Sequence, residues 1–535
     1  MSITINFAKD RYSLYGLRSF LIKYGIDLTS TDQRSQIRFV SFNHNRISLK
    51  NITGWIELGN ERLPVFRAPL DLADEGDALL TYSGGNRKYP CAVTAGEDII
   101  IGLDIFGHIG YSLSGYLEKI WMHIGGEKNG IVNIPFADYY GEILFNSLLN
   151  AHKRSNLPLV HKAFWPDGKR FAVCLTHDVD EIKKLYQWIT YPLRFAARYD
   201  LRGIYNQSSS FIHKIRGKEP YWTFERIMEL ESKLGVRSSF FFLNETGKVK
   251  LLDKKTWRHS GRRYSFNDPK VASMIKELHS KGWDVGLHGS FYSHNDFEKI
   301  QKEKEALEGA LGSEVHGIRQ HNLNLSIPQT WLHQERAGLE YDTTLGFNNC
   351  IGFRWGTCFP FRPFYAHEDR ALSILEIPLV IEDLPFYRYK NPCVEGLKVL
   401  GEVERSGGVG TLLWHHSVFN DYEFPGWSAH YEKMIEYCKK KNAWVTSARE
   451  ISRWWIWREK TSFEWDYEGT CLRIIPYPKE KNHFLNVYPP EKMIVKKISN
   501  ARVTGTNGDL FSIRTDSLRN NECVEIEFTE WNHGN

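Results

Sequence analysis

The stretch "LTHDVDEIKK", residues 175–184, sets two aspartates one residue apart behind the apolar run "RFAVCL" (170–175), with a histidine directly before the first. Two readings of it stand side by side. In one, a barrel strand ends here and Asp178 and Asp180 both reach one site where the strand breaks into a loop. One carboxylate would then hold a cation while the other stays free as a general base. In the other, Asp178 or Asp180 caps a helix beginning near "EIKKLYQW" (181–188), a frequent use of Asp.

The surrounding sequence favours a strand. From 166 to 458 short apolar runs alternate with helical segments: "RFAVCLTHD", "WTFERIMELESKLG", "VRSSFFFLN", "DPKVASMIKELHSKG", "WDVGLHGS", "FEKIQKEKEALEGALG", "EVHGIRQHN", "ALSILEIPLV", "GVGTLLWHH" and "SAHYEKMIEYCKKKN". Such alternation implies parallel strands joined by crossover helices, enough of them for a barrel. In that architecture chemistry gathers at the C-terminal strand ends. Asp178, Asp180, His288, Arg319, His321, His415 and His416 all fall there.

Residues 1–165 read as an α+β module, with helices over "DRYSLYGLRSFLIKYG" and "ADYYGEILFNSLLNAHKRS". The Pro and Gly of "LPLVHKAFWPDGKR" mark its boundary. Residues 459–535 give alternating runs between Gly, Asn and Pro turns, a small all-β domain. The fold class is therefore α/β, a distorted (β/α) barrel carrying these two appendages.

Each strand-end motif has a chemical and a structural reading. In "WDVGLHGSFYSHND" (283–296) His288 ends a strand ahead of a small Gly289–Ser290 pair, and His294 lies six residues on. Imidazoles commonly join carboxylates around a catalytic divalent metal; a lone His is more often a core residue. In "HGIRQHNLNL" (316–325) Arg319 suits the orientation of an aspartate or a substrate oxygen, or else a surface salt bridge. In "GVGTLLWHHSVFNDYEFPGW" (408–427) Trp414 and His415 suit a sugar-stacking floor and a general acid, or else a core Trp beside exposed His.

Taken in order, "THDVD", "GLHGS", "GIRQH" and "LLWHHS" resemble the motif series of the polysaccharide deacetylase superfamily (NodB-homology, carbohydrate esterase 4-like), in the branch whose first motif reads T-H-D-V-D. The segments "YDTTLGFNNCIGFRWGTCFPFRPF", "AWVTSAREISRWW" and the N-terminal "IPFADYYGEILFNSLLNAHKRS" resemble that branch too. The resemblance implies a deacetylase-type barrel in which a divalent metal, zinc first, serves hydrolysis of an N-acetyl group on a sugar or glycan precursor. It makes Asp178 the general base, Asp180 and His288 metal ligands, Arg319 the holder of the base and His415 the general acid. The family's second motif carries another histidine four residues after the first. Here Tyr292 stands at that position, so the third ligand is expected from His294 if the loop bulges, with His321 or His177 as the other candidates. Trp414, His321 and Tyr292 are the expected substrate contacts.

Composition narrows the partners. A net charge of +5 over 535 residues does not argue for nucleic acid. Aromatic content of 14% with 17 Trp fits a sugar-handling protein as well as a large core. Eight cysteines without C-x-x-C spacing favour reduced thiols over a disulfide frame or zinc knuckle. The start "MSITINFAKDRYSL" lacks a secretory pattern. The apolar stretch "DIIIGLDIFGHIGYSLSGYL" (98–117) contains Asp98, Asp104 and His108 and is too polar to span a bilayer. The expectation is a cytoplasmic enzyme of surface-polysaccharide assembly, with no membrane span and an oligomeric state that the sequence leaves open. Two alternatives remain: an inactive carbohydrate-binding or scaffold protein on the same barrel, and an amidohydrolase acting on a non-sugar C–N bond.

Overall fold

The computed structural model describes residues 2–26, 36–42, 52–118, 130–245, 264–519 and 522–530. At its centre lies a nine-stranded parallel sheet. Its strands are β1 Ala172–Val179, β2 Ser239–Leu243, β3 Asp284–Gly289, β4 Gly317–Gln320 and β5 Tyr341–Asp342. They continue with β6 Leu375–Glu376, β7 Leu379–Glu382, β8 Val409–Leu413 and β9 Trp444–Ser447. The spatial order is β6-β5-β4-β3-β2-β1-β8-β7, with β9 paired to the first half of β1. The outer strands β6 and β7 share no ladder among the described residues, so the sheet curls into a partial barrel without closing.

Strands β1, β2 and β8 are buried at every position. That follows from their position: parallel strands covered on both faces need apolar side chains throughout, and so read as unbroken runs. The covering helices include Phe224–Leu234, Pro269–Ser280, Phe297–Leu311, Pro392–Ser406 and Trp427–Lys440. Local chemistry sets their ends. Asp268 and Asp296 accept N-terminal amides from Lys270 and Lys299, and Gly235, Gly312 and Gly407 close three C-termini with positive φ. The run "ALSILEIPLV", read from sequence as one strand, is two. Pro378 lies between β6 and β7, and a proline cannot donate to a ladder.

Ahead of the barrel a seven-stranded mixed sheet runs Gln36–Phe42, Ser2–Ala8, Asp98–Ile101, Arg87–Ala95, Asp77–Gly84, Gly54–Leu58, Glu61–Val65. Helices Arg11–Tyr24, Ile105–Leu113 and Phe136–Arg154 accompany it. Its buried side chains form one continuous core with those of the barrel. Asp138 pins the junction, accepting from Lys23 Nζ, Thr357 Oγ1 and the Cys358 amide at 2.9, 2.9 and 2.8 Å.

After the last barrel helix, Ala448–Lys460, come two four-stranded sheets with a core of their own. One of the two takes in Leu159–Lys162, paired antiparallel with Phe484–Tyr488. The chain thus contributes a strand to this sheet before it enters the barrel.

Candidate active site

Strand β1 positions its side chains by simple alternation, successive residues facing opposite sides. Thr176 and Asp178 face the inside of the curl, and Asp180 follows on that side one step past the strand. His177 faces out. Its Nδ1 lies 2.7 Å from the Trp414 carbonyl and its Nε2 3.0 Å from Glu231 Oε1, itself the acceptor of the Tyr431 hydroxyl at 2.6 Å. His177 is thereby removed from the possible ligands. Neither aspartate caps a helix: the next one is Gln187–Ala196, with Tyr186 in the capping position.

Arg319, on β4, is fully buried and fixes Asp178. Its Nη1 donates to Asp178 Oδ1 at 3.0 Å and to Thr176 Oγ1 at 2.7 Å. The rest of the fork is committed to Thr343, Nε to the carbonyl at 3.0 Å and Nη2 to the hydroxyl. The guanidinium lies 5.0 Å from the Phe241 ring centroid. That ring fits because position 286 is glycine, where a Cβ would stand 2.6 Å from it. A charge-assisted bond to so constrained a cation orients the carboxylate. It occupies Oδ1, while Oδ2 stands 3.6 Å from His288 Nε2.

Asp180, His288 and His321 form a compact donor set, one ligand atom from each lying within 4.8 Å of the others. His288 Nε2 is 3.1 Å from Asp180 Oδ1, and His321 Nε2 is 3.6 Å from Asp180 Oδ2. The strands explain the grouping, since His288 and Arg319 are register partners on β3 and β4 and His321 lies two residues beyond Arg319 on the same side. His288 Nδ1 faces the Arg319 carbonyl at 2.9 Å. That contact fixes the tautomer with the proton on Nδ1 and a lone pair on Nε2, the usual outer support of a metal-binding imidazole. Burial works against a charge on His288, but Asp178 and Asp180 outweigh it and raise its pKa. Two carboxylates thus draw positive charge into this position. One carboxylate and two imidazoles are the donor types that suit a zinc-type cation. The set fits a divalent metal.

Across the site stands His415, just past β8. Asp383 holds it twice, accepting from the His415 amide at 2.7 Å and from Nδ1 at 2.9 Å. Burial tends to lower its pKa, but Asp383, with Asp180 and Asp178 beyond it, overcomes that and raises it well above the usual histidine value. Beside it Glu382 ends β7 in nearly complete burial, and burial pushes its carboxyl up to about 8. His416 turns inward, its Nδ1 3.1 Å from the Asp178 carbonyl; burial lowers its pKa to about 4 and keeps it neutral. Solvent reaches the cluster at Asp180 and at His415, both partly exposed.

The remaining expected residues lie elsewhere. His294 sits in the short turn Ser293–Asn295, with Nδ1 3.1 Å from the Phe291 carbonyl and Nε2 3.0 Å from the Asn295 amide. The structure brings His321, not His294, beside Asp180 and His288. Tyr292 is exposed, its ring packed on Phe291, which in turn approaches His321. Trp414 is wholly buried, its indole donating to the Trp427 carbonyl at 3.2 Å and packed against Phe386 and Tyr431. No sugar face can reach it.

No family model matches the sequence, and no curated protein matches it. Solved structures are similar to it in part. A Mycobacterium smegmatis protein assigned as a polysaccharide deacetylase is 19% identical, covering 56% of this chain and 94% of its own, with a TM-score of 0.37. An allantoinase is 14% identical over 54% of this chain and 92% of its own, at 0.36. A carbohydrate esterase 4 family pseudoenzyme from Bacillus anthracis is 13% identical over 54% and 66%, at 0.28.

Four members of the cluster escaped the sequence reading: Thr176, Thr343, Glu382 and Asp383. For the acid pair a signal was present. "VIEDLP" (380–385) places two acids directly behind an apolar run, the same pattern that singles out Asp178 and Asp180. Nothing local marks the threonines, which matter only because Arg319 reaches them.

Proposed function

We propose that the chain is a divalent-metal hydrolase that removes an N-acetyl group from a sugar or glycan precursor, with residues 166–458 as its catalytic unit. The observation that carries this reading is the convergence, at one end of one sheet, of an Arg-held carboxylate, an Asp–His–His donor set and an Asp-held histidine. A cation held by Asp180, His288 and His321 would polarise the acetyl carbonyl and lower the pKa of a water. Asp178 takes the proton from the attacking water at Oδ2, the oxygen that Arg319 leaves open. His415, protonated through its pairing with Asp383, donates from Nε2 to the departing nitrogen. An amine leaves poorly unless protonated as its C–N bond breaks, so base and acid must lie on the two sides of the acyl carbon. The products are acetate and the free amino sugar.

The test is acetate release from N-acetylated chito-oligosaccharides by zinc-loaded protein. Wild type should turn over, and Asp178→Asn should lose about 10³-fold in kcat while keeping its metal. Equal rates for the two proteins would refute the assignment. Substoichiometric zinc in wild type, with no release, would favour the non-catalytic alternative.

A further inference from the structure

Beyond Asp180 the chain leaves the barrel as a helical hairpin, Gln187–Ala196 and Leu201–Ile215, whose amphipathicity is inverted. The second helix buries Gly203, Gln207 and Ser210. It exposes Leu201, Tyr205 and Ile215 at 78%, 72% and 71%, and Ile212 at 49%. Steps of four, seven and three residues put these four on one face. The first helix adds Ile189 and Leu193, exposed and one turn apart. A helix facing only water shows the opposite pattern, apolar side down. Single exposed apolar residues are ordinary, but a continuous patch marks a surface that binds something. Nowhere else among the described residues do large apolar side chains stand exposed so densely.

Charge identifies the occupant. Residues 187–218 carry Arg194, Arg198, Arg202, Arg216 and Lys218, with Asp200 as the only acid; Lys214 is paired with Glu219 just beyond them. Asp200 is already used, accepting the Gly203 amide at 2.8 Å as the helix cap. Pairing with a second copy of the same hairpin would set these cations against each other. An anionic bilayer surface satisfies both halves of the pattern: apolar side chains enter the acyl boundary, and long basic side chains reach the headgroup phosphates. The geometry points to this hairpin as a docking surface for an anionic lipid bilayer, lying along the interface. No described helix is long and apolar enough to cross one.

The hairpin is fastened to the segment that follows His415. Lys184 Nζ and Ser210 Oγ both donate to Glu423 Oε2, at 2.8 and 3.2 Å, and Glu423 lies on the segment that follows His415. Asp180 lies seven residues ahead of the first hairpin helix, so on this inference the site opens near the docked surface. The substrate class that follows is an amphiphile with an N-acylated polar head; this last step rests on the catalytic reading above, whereas the docking does not.

Sedimentation of the full chain with phosphatidylcholine vesicles, with and without phosphatidylglycerol, tests the docking. Binding is expected to the anionic vesicles, weakened about tenfold or more in pure phosphatidylcholine or at ~0.5 M salt. Ile189→Glu/Ile212→Glu and Arg198→Glu/Arg202→Glu should each weaken it similarly at an unchanged melting temperature. Absence of binding to anionic vesicles would overturn the inference, as would variants that bind like wild type. A dimer in solution that these variants dissociate, without vesicle binding, would assign the face to a second copy instead. Unchanged vesicle binding by Asp178→Asn would separate docking from catalysis.

Discussion

Asp178 and Asp180 share a strand end and differ in their neighbours: a buried guanidinium holds one, and two imidazoles flank the other. The same contrast governs His415 and His416. Asp383 keeps the first charged, and burial keeps the second neutral. In the proposed reaction His415 must carry a proton to deliver it, so the rate should fall as pH rises through its pKa. Asp383→Asn removes the charge that raises that pKa, and the alkaline limb of kcat/KM should move to lower pH, toward the ordinary histidine value near 6.5. An alkaline limb that stays in place in this variant would show that another group sets it. At this scale much of the site was legible, because an i, i+2 pair at a strand end already implies a shared face. The third donor was legible only as one of three candidates, His294, His321 and His177. Spacing from His288 points to His294, but the loop turns that ring onto the Phe291 carbonyl. His321 is brought in by the pairing of β3 with β4, a long-range fact that no local spacing contains.

Strand β1 is the element that divides structure from chemistry, one face for each. His177→Ala removes an outward ring bonded to Glu231 and to the Trp414 carbonyl. It should cost about 1–3 kcal/mol of stability, read by denaturant unfolding, and leave bound zinc unchanged. His321→Ala should do the reverse, losing zinc at a nearly unchanged midpoint. Zinc loss in His177→Ala would contradict the alternation on which the site is built. The barrel helices were readable because each has one period and one buried side, and the central strands because burial on both faces makes them unbroken apolar runs. Residues 187–215 are the exception, and a reading by strand–helix alternation passes straight from "RFAVCLTHD" to "WTFERIMELESKLG". The hairpin between them carries its apolar stripe outward, the reverse of the pattern that such a reading looks for.

The molecule is held together across its parts by a few buried polar hubs. Arg458, near the end of the last barrel helix, is fully buried. It donates to the carbonyls of Ile22 and Lys23 in the first helix, and to those of Lys162 and Ala163 beside the C-terminal sheet, at 2.6–3.2 Å. Burial lowers its pKa to about 9. Arg458→Met takes a donor from four carbonyls, and a loss of about 3 kcal/mol or more is expected in global unfolding. A change under about 1 kcal/mol would mean that the three parts are coupled by other contacts. Sequence reading separates an N-terminal module, a barrel and a β appendage by their changing periodicity. It does not foresee that Leu159–Lys162 joins the C-terminal sheet, since strand partners hundreds of residues apart leave no local trace.

The central claim is that Asp180, His288 and His321 hold the catalytic cation beside Asp178. Anomalous difference density from zinc-loaded crystals of the full chain addresses it directly. The account predicts one strong peak bounded by those three side chains, lost in His321→Ala and kept in His294→Ala. A peak at Glu382, Asp383 and His415, the other acidic–histidine group able to hold an ion among the described residues, or no peak at either place, would contradict it.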